Sequence, residues 1–301
     1  MNSPLLFPVK LDGNRILVLD ETLLPLKEEY IALDSLDKAL WVLSQMKTRS
    51  LGQVLLFFYC CVLFERNFSI DEISRKFKQR RPTFDFLFLA QILKGQMRKI
   101  PDIREAANSF ICAFDKLRRK RSAALADILP ADASILTICN VNGELIYLYQ
   151  ALTERSKRAT FIVCETRPYL QGVRLSFWEL RKNNIPALLI CDNQAALLMR
   201  RQRINCVVTG ADRATAKGDV INKVGTYSLA CLAKYFNIPF YSLTQYPRDI
   251  DVETIPIEER PQQEAFMFLE GDYSHLDAFY PAFDITPAGF VTKSVELAGR
   301  N

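Results

Sequence analysis

Five short runs in the second half of the chain, at 135–139, 160–164, 187–191, 206–209 and 239–243, are apolar at nearly every position rather than at alternate ones. A strand that is apolar on both faces must be covered on both. When such strands are separated by helix-length stretches, the solution is a parallel sheet sandwiched between helices. The second half, 126–301, is therefore expected to be a doubly wound, Rossmann-like α/β domain with a mainly parallel sheet. Ligands of such sheets bind outside the carboxyl ends of the strands. Polar residues stand at those ends here: Cys139 and Asn140, then Glu165, Thr166 and Arg167, then Asp192 and Asn193, and finally Gly210, Ala211, Asp212 and Arg213.

The first half, 1–125, reads as a mainly helical domain carrying a small antiparallel sheet. The stretch 9–19 has Asp12 and Gly13 between two apolar segments, the signature of a tight hairpin. Ser35, three residues before Lys38, opens a stretch in which Leu36, Leu40, Leu43 and Met46 recur at helical spacing. Further helices are expected over 54–65, 71–78 and 84–93, the last two separated by Pro82. The basic run 116–121 is expected to be a solvated helix end rather than a nucleic-acid patch.

Charge supports that choice, since 39 Lys and Arg against 34 Asp and Glu leave a net charge of only +5. The apolar window 54–64 falls well short of the ~20 residues that span a bilayer, and no signal-peptide pattern opens the sequence. Eight cysteines without a C-x-x-C pair, and a single histidine, His275, leave disulfide frameworks, zinc knuckles and histidine relays unsupported. A reducing, cytoplasmic location is expected.

Among the strand-end residues, Cys139 and Asp212 are the acid/base candidates, because a thiol and a carboxylate at neighbouring strand ends can take and return a proton. Each also has an ordinary alternative, as a small core residue and as a helix cap. Asn222 and Lys223 lie in a segment bracketed by Gly218 and Gly225 that leads into a helix, where an anionic group would be welcome. Neither a G-x-G-x-x-G nor a P-loop is present.

The stretch from Glu165 to Leu175, and that from Gly210 to Arg213 followed by Gly218 to Thr226, resemble the signatures of the methylthioribose-1-phosphate isomerase family. Weaker similarities occur at Arg81-Pro82-Thr83, at Ile257-Glu258-Glu259-Arg260 and over 281–287. The wider family also holds ribose-1,5-bisphosphate isomerases and regulatory subunits of initiation factor 2B. The resemblance implies an aldose–ketose isomerase of a pentose 1-phosphate, methylthioribose 1-phosphate by default, of the methionine-salvage type. It further implies a cytoplasmic homodimer without metal or redox cofactor, and with neither nucleic acid nor membrane as partner. Asp212 would be the proton donor and Cys139 its partner beside the reacting carbons. Gln171, Asn222 and Lys223 would hold sugar and phosphate, and Arg49 and Arg81 would be cationic contacts from the amino-terminal domain.

Two segments differ from the family pattern. Arg49 is followed by Ser50 and Leu51 where relatives have Gly-Ala, and Cys139-Asn140 is followed by bulky residues in place of small ones. Leu51 is expected to crowd the phosphate, and Glu144 to set a carboxylate at a helix start suited to it. The alternative function is thus a non-catalytic binding or regulatory member, or an isomerase of another pentose phosphate, with a reshaped pocket. Regulatory relatives generally lack the Cys/Asp pair, which this chain keeps.

Overall fold

The computed structural model describes residues 3–297. The chain divides into two compact units, the first ending at Arg118 and the second beginning at Arg119. In the first, the expected hairpin forms from β1 (Val9–Asp12) and β2 (Arg15–Leu19), paired from Val9↔Val18 to Asp12↔Arg15. A third antiparallel strand, β3 (Tyr30–Leu33), joins β2. Helix α1 (Leu36–Ser44) starts where its cap demands, with Ser35 Oγ accepting from the Lys38 N–H.

Helix α2 (Ser50–Leu63) begins earlier than its apolar window suggested and is buried nearly all round, the expected site for a helix without a polar face. Helix α3 (Ile70–Arg80) opens with a reciprocal cap: Ser69 Oγ accepts from Glu72 N, and Ser69 N donates to the Glu72 carboxylate at 2.7 Å. Helix α4 (Phe86–Met97) follows. The core joins these helices through edge-to-face rings, Phe57 with Phe77 at 5.6 Å and Phe77 with Phe86 at 5.1 Å.

Helix α5 (Ile103–Ile128) runs through the division between the units and contains the basic run. The run is only in part the solvated helix end expected of it, since the helix continues to Ile128 and two of its arginines are buried. Arg118 and Arg121, three residues apart on one face, are buried, while Lys116, Arg119 and Lys120 are exposed.

The second unit holds a six-stranded, all-parallel sheet: β4 (Asp132–Thr137), β5 (Arg158–Cys164), β6 (Ala187–Ile190), β7 (Cys206–Gly210), β10 (Phe240–Thr244) and β12 (Lys293–Glu296). Helices α6 (Glu144–Glu154), α7 (Trp178–Lys182), α8 (Ala195–Arg200) and α9 (Thr226–Tyr235) intervene. The spatial order is β12-β10-β7-β4-β5-β6. Counted along the chain this is 6-5-4-1-2-3, the doubly wound order in which the winding reverses between the first and fourth strands. The reversal therefore falls between β4 and β7, which pair through Ile135↔Cys206 and Leu136↔Val207. Separate from this sheet, β8 (Arg213–Ala214), β9 (Val220–Lys223) and β11 (Phe283–Thr286) form a small antiparallel sheet that continues directly from the end of β7.

Candidate active site

The two residues that follow the reversal point are the two acid/base candidates: Cys139 leaves β4 and Asp212 leaves β7. Two hydrogen bonds and two close approaches of glycine backbone define the surroundings of the Cys139 loop. Its N–H donates to Thr166 Oγ1 at 2.8 Å, and its carbonyl accepts from Ser176 Oγ at 2.7 Å. A Cβ on Gly225 would lie 3.0 Å from Ile138, and one on Gly210 would lie 3.6 Å from Val141. The loop after β5, the end of β7 and the start of α9 thus all approach the segment 138–141. Cys139 itself sits at φ 65°, and Asn142 and Thr166 have φ of 49° and 66°, in the left-handed region that side chains avoid. Backbone of this kind persists where its surroundings over-determine it, as at ligand sites.

Gln171 ends the β5 loop and leads into a wide helical turn, Gly172–Phe177, that carries Ser176. Gly172 is required there, since a Cβ would fall 1.7 Å from the Cys164 carbonyl oxygen. Gln171 is 3% exposed, and its Oε1 is buried with no hydrogen-bond partner. Asn140 accepts from the Asn142 N–H through Oδ1 at 2.9 Å, while its Nδ2 is likewise buried and unpartnered. A stranded donor thus lies in the Cys139 loop and a stranded acceptor at the end of the β5 loop, and each such group costs about 1–3 kcal/mol unless something binds it.

Asp212 is anchored by its N–H, which donates to the Ile221 carbonyl at 2.9 Å, so the strand that holds it is also the strand that carries Asn222 and Lys223. Both of these are buried. Asn222 Nδ2 donates to Thr226 Oγ1 at 3.0 Å, and Lys223 Nζ donates to the Tyr280 hydroxyl at 2.7 Å. They lie on β9, ahead of the helix rather than on its first turn. The start of α9 is taken by this chain's own carboxylate: Asp284 accepts from Gly225 N at 2.6 Å and from Tyr227 N. Burial pushes the Asp284 carboxyl up to about 6, against the pull of those N–H groups and of Lys223.

Asp192, at the end of β6, accepts from the N–H groups of Thr166 and Arg167 at 2.8 Å each, which makes it a brace for the β5 loop. Glu144 differs from expectation. It is buried at the start of α6, but Arg121 forks onto it through Nε and Nη2 and also donates to the Thr244 carbonyl at the end of β10. Its charge is therefore met by a guanidinium rather than left to repel a ligand.

Within the first unit, Arg49 and Arg81 approach a common cluster. Gln53 Nε2 donates to the Thr48 carbonyl at 2.9 Å, and the Met46 sulfur receives both Gln53 Nε2 at 3.8 Å and Arg81 Nη1. Glu21 accepts from Thr48 Oγ1 at 2.7 Å and from the Arg49 N–H at 3.2 Å. Burial pushes its carboxyl up to about 7, opposed by Arg49. Sequence reasoning missed Glu21, and nothing local marks it, because its partners lie 27 and 28 residues away. Leu51 is 7% exposed and packs within the hydrophobic core of the first unit.

Residues 54–299 match the profile described as the initiation factor 2 subunit family. The chain belongs to that family. Within it, a protein named methylthioribose-1-phosphate isomerase from Anaeromyxobacter sp. (strain Fw109-5) is 34% identical, the match covering 99% of this chain and 95% of that one. Another of the same name, from Carboxydothermus hydrogenoformans, is 35% identical over 93% of this chain and 91% of its own. The family fold is shared with the crystal structure of 5-methylthioribose 1-phosphate isomerase from Pyrococcus horikoshii OT3, with a TM-score of 0.80, 24% identity and coverage of 99% and 94%. Translation initiation factor eIF-2B subunit delta from A. fulgidus gives a TM-score of 0.76 at 27% identity, covering 97% of this chain and 94% of that one. Among the described residues no helix is long and apolar enough to cross a membrane.

Proposed function

We propose that the protein is an aldose–ketose isomerase that converts methylthioribose 1-phosphate to methylthioribulose 1-phosphate. The observation that carries this reading is that two buried amide atoms have no hydrogen-bond partner, Asn140 Nδ2 next to Cys139 in the chain and Gln171 Oε1 in the loop between Thr166 and Ser176, the two residues hydrogen-bonded to the Cys139 backbone. A polyhydroxylated ligand supplies an acceptor and a donor for them. Curated relatives bearing the isomerase name over nearly the whole chain support the choice of substrate.

In this reading Lys223 is the phosphate's positive partner, with Asn222 beside it on β9. Asp212 gives a proton to the ring oxygen as the bond from carbon 1 to that oxygen breaks. Cys139 takes the proton from carbon 2 and returns it to carbon 1, while the carbon 2 hydroxyl passes its own proton to the Asp212 carboxylate, which restores the acid as carbon 2 becomes the ketone. Carbon 2 is oxidised, carbon 1 is reduced, and no outside oxidant is needed. The charge that develops is met by fixed donors that do not have to reorganise. Arg49 and Arg81 are the anion contacts proposed for the first unit, and a homodimer is the proposed assembly.

The test is to offer purified protein methylthioribose 1-phosphate, ribose 1,5-bisphosphate and 5-deoxyribose 1-phosphate in parallel and follow ketose formation. Turnover of the first alone supports the proposal. Turnover of only one of the others would replace the substrate, and a folded protein inert to all three would leave the binding-protein alternative.

A further inference from the structure

The segment Ile257-Glu258-Glu259-Arg260 has no part in the chemistry above, yet its position gives it one. Arg260 is a largely buried cation whose Nη1 donates to Glu258 at 3.0 Å and whose Nε and Nη2 fork onto Glu264 at 3.2 and 2.6 Å. The same Nη2 donates to the Tyr169 hydroxyl at 3.1 Å, and Tyr169 donates onward to Glu264 at 2.5 Å. Tyr169 lies two residues before Gln171. A second grip on the same loop comes from Arg167, whose Nη2 donates to the Ala265 carbonyl at 3.0 Å and whose guanidinium lies 3.8 Å from the centre of the Phe268 ring.

A loop of this shape needs holding. Thr166 and Leu170 both adopt positive φ, 66° and 56°, in a region costly for residues with a side chain. The outer face of the loop is pinned by Arg260 and Glu264, and at its end Gln171 is buried with its acceptor unmet. The backbone of the same segment also pairs with the stretch that leads into β11, the strand beside β9. Arg260 N donates to the Tyr280 carbonyl at 3.0 Å, and Ala282 N donates to the Glu258 carbonyl at 2.8 Å. Tyr280 is the residue whose hydroxyl receives Lys223.

We infer that Arg260 is a positioning residue for the sugar-phosphate site: through Tyr169 it fixes the 167–171 loop and thereby the Gln171 amide. This rests on the isomerase reading above. The guanidinium of Arg260 is engaged by Glu258, Glu264 and Tyr169, so it acts through the loop, and its loss is expected to weaken ground-state binding more than the chemical step. A fork that is rigid, planar and permanently charged suits the role, and a lysine cannot reproduce it.

Tyr169→Phe is the cleanest test, because it deletes one hydroxyl and leaves the pairs of Arg260 with Glu258 and Glu264 intact. The expected result is a KM for methylthioribose 1-phosphate raised about tenfold, the worth of one lost charge-assisted hydrogen bond. kcat should fall by less, and amide hydrogen exchange over 168–172 should quicken. Arg260→Lys should shift KM and exchange in the same direction. An unchanged KM or unchanged exchange in Tyr169→Phe overturns the inference. An inert but folded wild type overturns the isomerase reading instead, and the exchange data then decide the bracing of the loop alone.

Discussion

Replacing Glu144 by glutamine should destabilise the second unit far more than one side-chain change usually does. Arg121 and Glu144 have side chains only 1% and 3% exposed, and the guanidinium makes two hydrogen bonds to the carboxylate and one to the Thr244 carbonyl. Glutamine keeps the size but turns an NH2 towards the fork and removes the compensating charge. Removing one partner of a buried pair costs about 3–5 kcal/mol. In a unit of this size that corresponds to a fall in Tm of about 6–20 °C. The double variant Arg121→Met with Glu144→Leu removes both charges and should recover most of the loss. Asp132→Asn supplies the contrast, because the Arg158–Asp132 pair has equally good geometry but is 84% and 66% exposed, and its loss should leave Tm nearly unchanged. Thermal and urea unfolding of the four proteins measures all of this. A Glu144→Gln protein that melts within two degrees of wild type would refute the claim that Arg121 and Glu144 form a desolvated pair.

Further outcomes follow from the same geometry. The Glu21 carboxyl is raised by burial from 4.5 to about 7, so its protonated form is favoured by folding; the stability it contributes is complete below pH 4.5 and is lost as pH rises through 7. The stability of wild type relative to Glu21→Gln should therefore fall across that window, and urea titrations showing a constant or rising difference would contradict the assignment. Gly172→Ala sets a methyl 1.7 Å from the Cys164 carbonyl oxygen, which the backbone cannot accommodate in place. A loss of at least about 2 kcal/mol is expected on unfolding, and wild-type stability would show that the turn is free to move. Leu51→Ala should cost about 2–5 kcal/mol as a core truncation without improving phosphate affinity, which isothermal titration with inorganic phosphate checks.

Much of the second unit is legible in the sequence because a strand covered on both faces cannot hide its apolar run. β4, β5, β7 and β10 announce themselves this way, and β6 shows the same run although it is an edge strand with Leu188 half exposed. β12 does not: Lys293–Glu296, at the sheet's edge, carries a single apolar residue, Val295, and so presents no apolar run. The small sheet of β8, β9 and β11 joins segments about sixty residues apart (Lys223 pairs with Phe283), a separation no local pattern reports. In the first unit the Ser69–Glu72 cap would have placed the start of α3, and α5 is obscured because two of its arginines are buried on a face that reads as solvated.

The site divides along the same line. Cys139 and Asp212 follow strands, so the strand-end rule finds them. Glu144 reads as hostile to an anion because its neutralising arginine lies 23 residues away, and Arg260, visible in the sequence only as part of a weak family similarity, gives no sign of its contact with Tyr169, 91 residues from it. Local chemistry is readable from local sequence, whereas charge compensation is a property of the folded chain.

The decisive measurement follows methylthioribose 1-phosphate by NMR with wild type, Cys139→Ser and Asp212→Asn at equal concentration, each confirmed folded by its melting curve. Wild type is expected to accumulate the ketose, and each variant to do so at least about 10²-fold more slowly at unchanged stability. A variant that keeps the wild-type rate, or a folded wild type that forms no ketose, would contradict the proposal that Cys139 and Asp212 carry the isomerisation.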